Sequence, residues 1–203
     1  MTRLADIEVD PAIRQLAAAG DAAAQTTVYE RLSPPVFALV RRLIIDRAAA
    51  EDVFQDSLMA VFENLSQFRG DAPFGAWVRQ IVTSRCFMHL RSPWQRARYA
   101  LADFGSEEQW AVALRLRAEL VPDLAAQVDL SRALLKLAPL TRAIVWLHDV
   151  EGLTHEEIAQ GFGRSVSFSK SQLSRGHQSL KALLQQSEES ACRNLTVELK
   201  GVS

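Results

Sequence analysis

Cysteine is scarce in this chain: 203 residues contain two, Cys86 and Cys192, far apart. That points to a reduced compartment, expected to be the cytoplasm, rather than a disulfide framework. No apolar run approaches the ~18 residues needed to span a bilayer, so no membrane insertion is expected. Asp6, Glu8 and Asp10 stand where a secretory signal would be apolar. The triplet Asn194-Leu195-Thr196 therefore has no secretory context. No stretch alternates apolar and polar residues as a half-buried strand does, and there is no internal repeat or low-complexity tract. His89, His148, His155 and His177 share no metal-ligand spacing with the cysteines. No nucleophile–base pairing or phosphate-cradling glycine loop is readable either. The expectation is a protein that is not an enzyme, with no cofactor, metal or small-molecule substrate.

Carboxylates are missing from two long stretches. Between Asp71 and Asp103 stand Arg79, Arg85, Arg91, Arg96 and Arg98, with Phe74, Trp77, Phe87, Trp94 and Tyr99 among them. Between Glu157 and Glu188 stand Arg164, Lys170, Arg175 and Lys181. The bulk hides this clustering. Residues 1–91 have 10 basic and 11 acidic side chains, 92–127 have 4 and 5, and 128–203 have 9 and 8, for a net charge of −1. Two basic faces on an otherwise acidic body suit one long polyanion held at two places.

The apolar spacing is helical throughout, and the expected fold class is all-α. Helices are expected over 11–24, over about 29–45 with a bend or restart at Pro34-Pro35, over 48–65 and over 74–91, with a turn-rich loop at 66–73. Residues 92–127 form a linker with room for one weak helix around Trp110, Leu114, Leu116 and Leu120. Four shorter helices follow near 129–137, 140–150, 154–161 and 166–185. The domains are thus 1–91 and 128–187, two small helical units joined by the linker, with a mobile tail at 188–203.

The C-terminal unit contains a helix–turn–helix pattern. Thr154 and Glu157 fit a capping box, and Gly161-Phe162-Gly163 supplies the turn. On the helix from 166, Val166, Leu180 and Leu184 fall within about 20° of Leu173 at 100° per residue. Ser171, Arg175 and Gln178 lie opposite, with Ser174 at the edge and Lys170 on the flank. A small, polar, basic outer face suits a major groove, where Arg can grip guanine with two bonds.

In the N-terminal unit, Leu58, Val61 and Leu65 lie within about 40° of Phe54, a buried stripe. The far side carries Asp52, Asp56 and Glu63 beside Gln55 and Met59. That acidic face with an apolar patch suits a basic protein surface. The next helix interleaves Arg79, Arg85 and Arg91 with Trp77, Phe87 and His89, which can hold phosphates and stack on unpaired bases. The same pattern also fits a core helix with Trp77 and Phe87 buried.

Together the two halves resemble a known family. Ala50-Glu51-Asp52-Val53-Phe54-Gln55-Asp56, Phe68-Arg69-Gly70-Asp71, Phe74-x-x-Trp77 and His89-Leu90-Arg91 resemble domain two of the extracytoplasmic-function sigma factors of bacterial RNA polymerase. Leu137-Ala138-Pro139, Glu151-Gly152-Leu153-Thr154-x-Glu156-Glu157-Ile158-Ala159 and Lys170-Ser171-x-Leu173-Ser174-Arg175 resemble domain four. The resemblance covers about 27–91 and 129–184. It implies that Glu51, Asp52, Gln55, Asp56 and Met59 dock on core RNA polymerase, on the β′ coiled coil, with β also contacted. It implies that Phe68, Arg69, Phe74, Trp77, Arg79, Ser84, Arg85, Met88, His89 and Arg91 recognise and open the minus-ten element of promoter DNA. Lys170, Ser171, Ser174, Arg175 and Gln178 would read the minus-thirty-five element. An anti-sigma factor clamping both DNA-facing surfaces is implied as a further partner.

The chain departs from the family at Thr83 (often Arg), Ser84 (usually Asn), Met88 (usually Asp), Gln172 and His177 (often Arg). The minus-ten preference should be unusual or that contact weaker, and the phosphate grip of the last helix softer. The alternative reading is a stand-alone helix–turn–helix regulator, which leaves the acidic helix without a role.

Overall fold

The computed structural model describes residues 3–92, 130 and 133–200, with side chains through 185; the linker and its weak helix lie outside these residues. Among the described residues every regular element is helical, and none is long and apolar enough to cross a membrane. Helix α1 (Pro11–Ala18) starts on Asp10, whose carboxylate accepts from the Ala12 amide at 2.7 Å. Pro11 follows in the first turn, where no amide donor is needed. Gly20, with φ of 94°, breaks the chain, and Asp21 then caps α2 (Ala22–Leu43) by accepting from Ala24 at 2.8 Å. The single helix expected over 11–24 is therefore the whole of α1 and the start of α2.

Helix α2 passes through Pro34 and Pro35 without restarting. The prolines remove two amide donors, but the carbonyls that lose them belong to Glu30 and Arg31, on the exposed side. On the inner side Val28, Leu32, Val36, Leu39, Val40 and Leu43 form one buried stripe at helical spacing. Burying each such side chain stabilises by ~1.5–3 kcal/mol, enough to hold the helix across the defect.

Helix α3 (Arg47–Asn64) is capped by Asp46, which accepts from Ala49 at 3.0 Å, and ends in a tight turn over Leu65–Gln67. Helix α4 (Phe74–Leu90) follows the loop as expected. The first segment of the chain lies across its start: a Cβ on Gly75 would sit 2.2 Å from the Leu4 carbonyl oxygen and 2.7 Å from that of Ile7. Leu4, Ile7 and Val9 are buried there.

The second lobe begins with helical residues 133–136 and α5 (Pro139–Val145), which widens into a π turn over Trp146–Val150. Helix α6 (His155–Phe162) has the expected capping box: Glu157 N donates to Thr154 Oγ1 at 3.2 Å, and Thr154 N to Glu157 Oε2 at 2.7 Å. Gly163, with φ of 61°, closes it, its amide and that of Arg164 donating to Gln160 and Ala159 carbonyls. Helix α7 (Val166–Lys200) runs well past the expected end at 185. The tail mixes strong and weak helix formers but has no Gly or Pro before Gly201, so nothing in it breaks the helix at 188.

The two lobes share one core. Phe87 of α4 meets Phe162 of α6 edge to face, ring centres 4.7 Å apart, and Arg42 of α2 lies 4.5 Å from the ring centre of Trp146.

Candidate functional site

Helix α3 buries Ala50, Val53, Ser57, Leu58, Ala60 and Val61, and Leu65 packs just beyond it. Phe54 sits at the edge of this stripe, edge to face with Phe37 at 5.3 Å. Ser57 is polar but satisfied, its hydroxyl donating to the Val53 carbonyl at 2.6 Å. With that side committed, Asp52, Gln55, Asp56 and Met59 all project to solvent along one face at i, i+3, i+4, i+7 spacing. Met59 is 60% exposed, an apolar centre among carboxylates. Glu51 is half-buried at the margin and pairs with Arg47 at 2.8 Å. The five expected docking residues thus form one patch.

The expected minus-ten residues divide into two groups. Phe74, expected to face DNA, is 1% exposed and lies in the core, because the first turn of α4 is roofed by the N-terminal segment. Phe87 is likewise buried, against the other lobe. Phe68 and Trp77 are half-buried, their rings 5.3 Å apart and each within 6 Å of Phe74, so these aromatics build the base of the loop. Sequence reasoning missed Arg14. Its guanidinium lies 4.8 Å from the Phe68 ring centre and 5.1 Å from that of Phe74, while its Nε donates to the Val9 carbonyl at 3.1 Å. An isolated Arg in the first helix carries no local signal of this long-range contact.

The remaining residues do reach the surface. Arg69, Ser84, Met88 and Arg91 are exposed, and Arg85 and His89 are half-buried beside them. The stripe 84, 88, 91 follows one helical face, and α4 carries no carboxylate to neutralise it. Thr83, buried, donates its hydroxyl back to the Arg79 carbonyl at 2.9 Å, so a longer side chain there would not fit the packed face. Arg79 is half-buried and donates to the Glu151 carbonyl of the second lobe.

On α7, Leu173, Gly176 and Leu180 face inward, while Lys170, Ser171, Ser174, Arg175 and Gln178 are all exposed. Gly176 permits the close approach of α5: a Cβ there would lie 2.5 Å from Val145 Cγ2. Gln172 is turned inward, accepting from Thr141 Oγ1 at 2.7 Å, and His177 donates to Asp149 at 2.6 Å. Asp149 also accepts from His148, whose ring stacks on His155 at 4.5 Å. His155 shares a hydrogen bond with Ser169 Oγ at 3.0 Å. Desolvation, then the neighbouring His148 and Lys170, hold the His155 pKa below the usual histidine value. So Gln172 and His177 fasten the helix to its own lobe.

Three faces result: an acidic one with a methionine centre, a basic one on α4, and a small polar and basic one on α7. Known proteins carry the same two-part organisation. Residues 28–96 match the family model of sigma-70 region 2, and residues 127–180 that of sigma-70 region 4. Among curated proteins, the chain is 30% identical over 171 residues to the ECF RNA polymerase sigma factor SigE of Mycolicibacterium smegmatis, covering 82% of this chain and 65% of that one. It is 26% identical over 195 residues to the RNA polymerase sigma factor NccH of Alcaligenes xylosoxydans, covering 91% of this chain and all of that one. Among solved structures, CnrH in complex with the cytosolic domain of CnrY is similar, with 23% identity, 88% and 99% coverage and a TM-score of 0.49.

Proposed function

We propose, from the premise that this chain belongs to the extracytoplasmic-function sigma factors of the sigma-70 family, a division of labour among its three faces. The patch of Asp52, Gln55, Asp56 and Met59, with Glu51 at its edge, docks on a basic surface of core RNA polymerase, the β′ coiled coil, with β also contacted. Carboxylates steer the encounter, and Met59, already exposed, adapts to an apolar contact.

The loop at 68–73 and the exposed stripe of α4 take the minus-ten element. Arg69, Arg79, Arg85 and Arg91 hold the backbone of the separated strands, while Ser84 and Met88 meet bases with His89 beside them. Phe74 acts by packing, fixing Phe68 and Trp77 at the loop's base. On α7, Lys170 and Ser171 position the duplex while Ser174, Arg175 and Gln178 read base edges of the minus-thirty-five element. The chain itself does no chemistry; it directs where the polymerase starts, in the cytoplasm, and an anti-sigma factor that covers both DNA-facing surfaces silences it.

One observation carries this reading over a stand-alone regulator. Asp52, Gln55, Asp56 and Met59 emerge together on one exposed face of α3, and a protein that only bound DNA would have no use for it. The deciding experiment is run-off transcription with purified core polymerase on genomic fragments, with start sites mapped. New starts that need both core and this chain are expected. Equal binding of promoter DNA with and without core, and no new starts, would refute the reading.

A further inference from the structure

We propose that Arg14, anchored by the N-terminal segment, is a positioning residue for promoter opening: it clamps the Phe68 ring and so holds the 68–73 loop ready for an unpaired base. The inference rests on the assignment of that loop to the minus-ten element. Arg14 and the segment before it precede residues 28–96, the span that matches sigma-70 region 2.

The contact is built from both ends. The segment before α1 lies so close on the start of α4 that a Cβ on Gly75 would meet three of its carbonyl oxygens, those of Leu4, Ala5 and Ile7, at 2.2, 2.8 and 2.7 Å. Leu4, Ile7 and Val9 are buried there. Asp10 then caps α1 and Pro11 follows in its first turn, so the helix that carries Arg14 begins directly at the anchored segment. The Arg14 side chain folds back on it, its Nε donating to the Val9 carbonyl at 3.1 Å, which orients the guanidinium plane. Held in this way, the guanidinium lies over the Phe68 ring at 4.8 Å and over the Phe74 ring at 5.1 Å. The two rings meet edge to face at 5.3 Å. Phe74 is fixed in the core, whereas Phe68 belongs to the loop. One half-buried cation therefore couples the loop to the core.

The loop has few other restraints. Phe68 N donates to the Leu65 carbonyl at 3.3 Å, and the Pro73 carbonyl accepts from Trp77 N. Between those points Arg69, Gly70, Asp71 and Ala72 are all exposed, and they make no hydrogen bond among the described residues. The Phe68 ring is thus where the loop is held, by Phe74, by Trp77 at 5.3 Å and by Arg14 over its face. The clamp needs a guanidinium. An ammonium has no flat face to lay on a ring, and it could not at the same time donate to Val9 from Nε. Order in the loop bears on strand capture, because freedom lost on binding subtracts from affinity. A loop already held has less to lose, and Arg69, next to the clamped ring, is presented in one place. Arg14 thereby strengthens the grip on a separated strand without touching it.

The test uses the full chain with Arg14→Ala and Arg14→Lys, thermal melting confirming that both fold. The first measurement needs no DNA. Trypsin cleavage after exposed Arg69, followed by mass spectrometry, reports how often the loop leaves its native position. The wild type should be cut slowly there and Arg14→Ala about tenfold faster, as loss of a half-buried cation–π contact implies. The second measurement selects short random single strands on the chain assembled with core polymerase. Arg14→Ala should bind the pool about tenfold more weakly and lose base preference at one position. Core affinity, and binding of random duplex by the free chain, should not change. Arg14→Lys should resemble Arg14→Ala in both measurements, since it keeps the charge and lacks the plane. Unchanged cleavage at Arg69 would overturn the proposal, as would a uniform loss of strand affinity with the base preference intact. So would a lysine variant equal to the wild type, because charge alone would then suffice. Run-off transcription by the wild type with core judges the sigma reading separately: absence of new starts would remove the promoter role, while cleavage at Arg69 still reports whether Arg14 holds the loop.

Discussion

Asp52 and Asp56 stand four residues apart on the exposed face of α3. Like charges at that spacing oppose each other by ~0.2–0.5 kcal/mol, so this arrangement slightly weakens the helix that bears it. A lysine at 56 would exchange that repulsion for an attraction of similar size. Asp56→Lys should therefore stabilise the fold by ~0.4–1 kcal/mol, a rise of roughly 2–8 °C in the melting temperature of a lobe this size.

Core binding should move the other way. An exposed charge pair is worth ~0.2–1 kcal/mol, and reversal turns attraction into repulsion, so one substitution costs ~0.4–2 kcal/mol of affinity, about 2- to 30-fold. Reversing Asp52 as well doubles the cost to ~1–4 kcal/mol, about 5- to 900-fold in affinity. Competition of labelled protein for core polymerase at low and high salt measures this, and the difference should shrink as salt rises. A folding defect would lower affinity and melting temperature together; the expected result separates them. Unchanged affinity in the double variant would remove α3 from the docking surface.

Three further outcomes follow from particular contacts. Arg175→Ala should cost ~1–3 kcal/mol at the upstream element if the guanidinium reads a base, measured by binding to a panel of single-base variants; an equal loss on every sequence would mean that it holds phosphate only. Cys86 is buried and its thiol is pushed up to about 12 by desolvation, so in a Cys192→Ser background it should resist alkylation at pH 8 until lobe one unfolds; rapid labelling of the native protein would contradict the packing. The His155 pKa is lowered in the fold, so the unfolded chain takes up its proton first. Its contribution should be present above the ordinary histidine range and fall away as pH drops through it towards the lowered value; His155→Gln should flatten that part of the melting-temperature profile, and an unaltered slope would exclude His155 as its source.

What the sequence discloses depends on the range of the interaction. The capping box at Thr154 and Glu157 and the ends of α4 are set by neighbours a few residues away, and all of these are readable from composition and spacing. So are the outer faces of α3 and α7, because helical periodicity alone decides which residues oppose a buried stripe. The break at Gly20-Asp21 is equally local, a left-handed glycine followed by a capping aspartate, but it is masked by alanines on both sides. Continuity of α2 through Pro34-Pro35 is another matter, since the local rule says stop and only the buried stripe from Val28 to Leu43 overrides it.

Phe74 and Phe87 show the limit most clearly. On a helical wheel an aromatic among arginines looks the same whether it waits for a base or packs against a distant segment. The N-terminal segment settles Phe74 and the second lobe settles Phe87, through contacts made across many tens of residues. Gly161 completes the argument, because its lack of a side chain has no purpose within its own helix; Gly there costs ~1 kcal/mol relative to Ala. A residue that weakens its own element is explained by what lies against it, and here that is the ring of Phe87 on the opposite lobe. The same reasoning extends to the paired aspartates of α3, where a locally unfavourable charge pattern faces outward, as the proposed docking on polymerase requires.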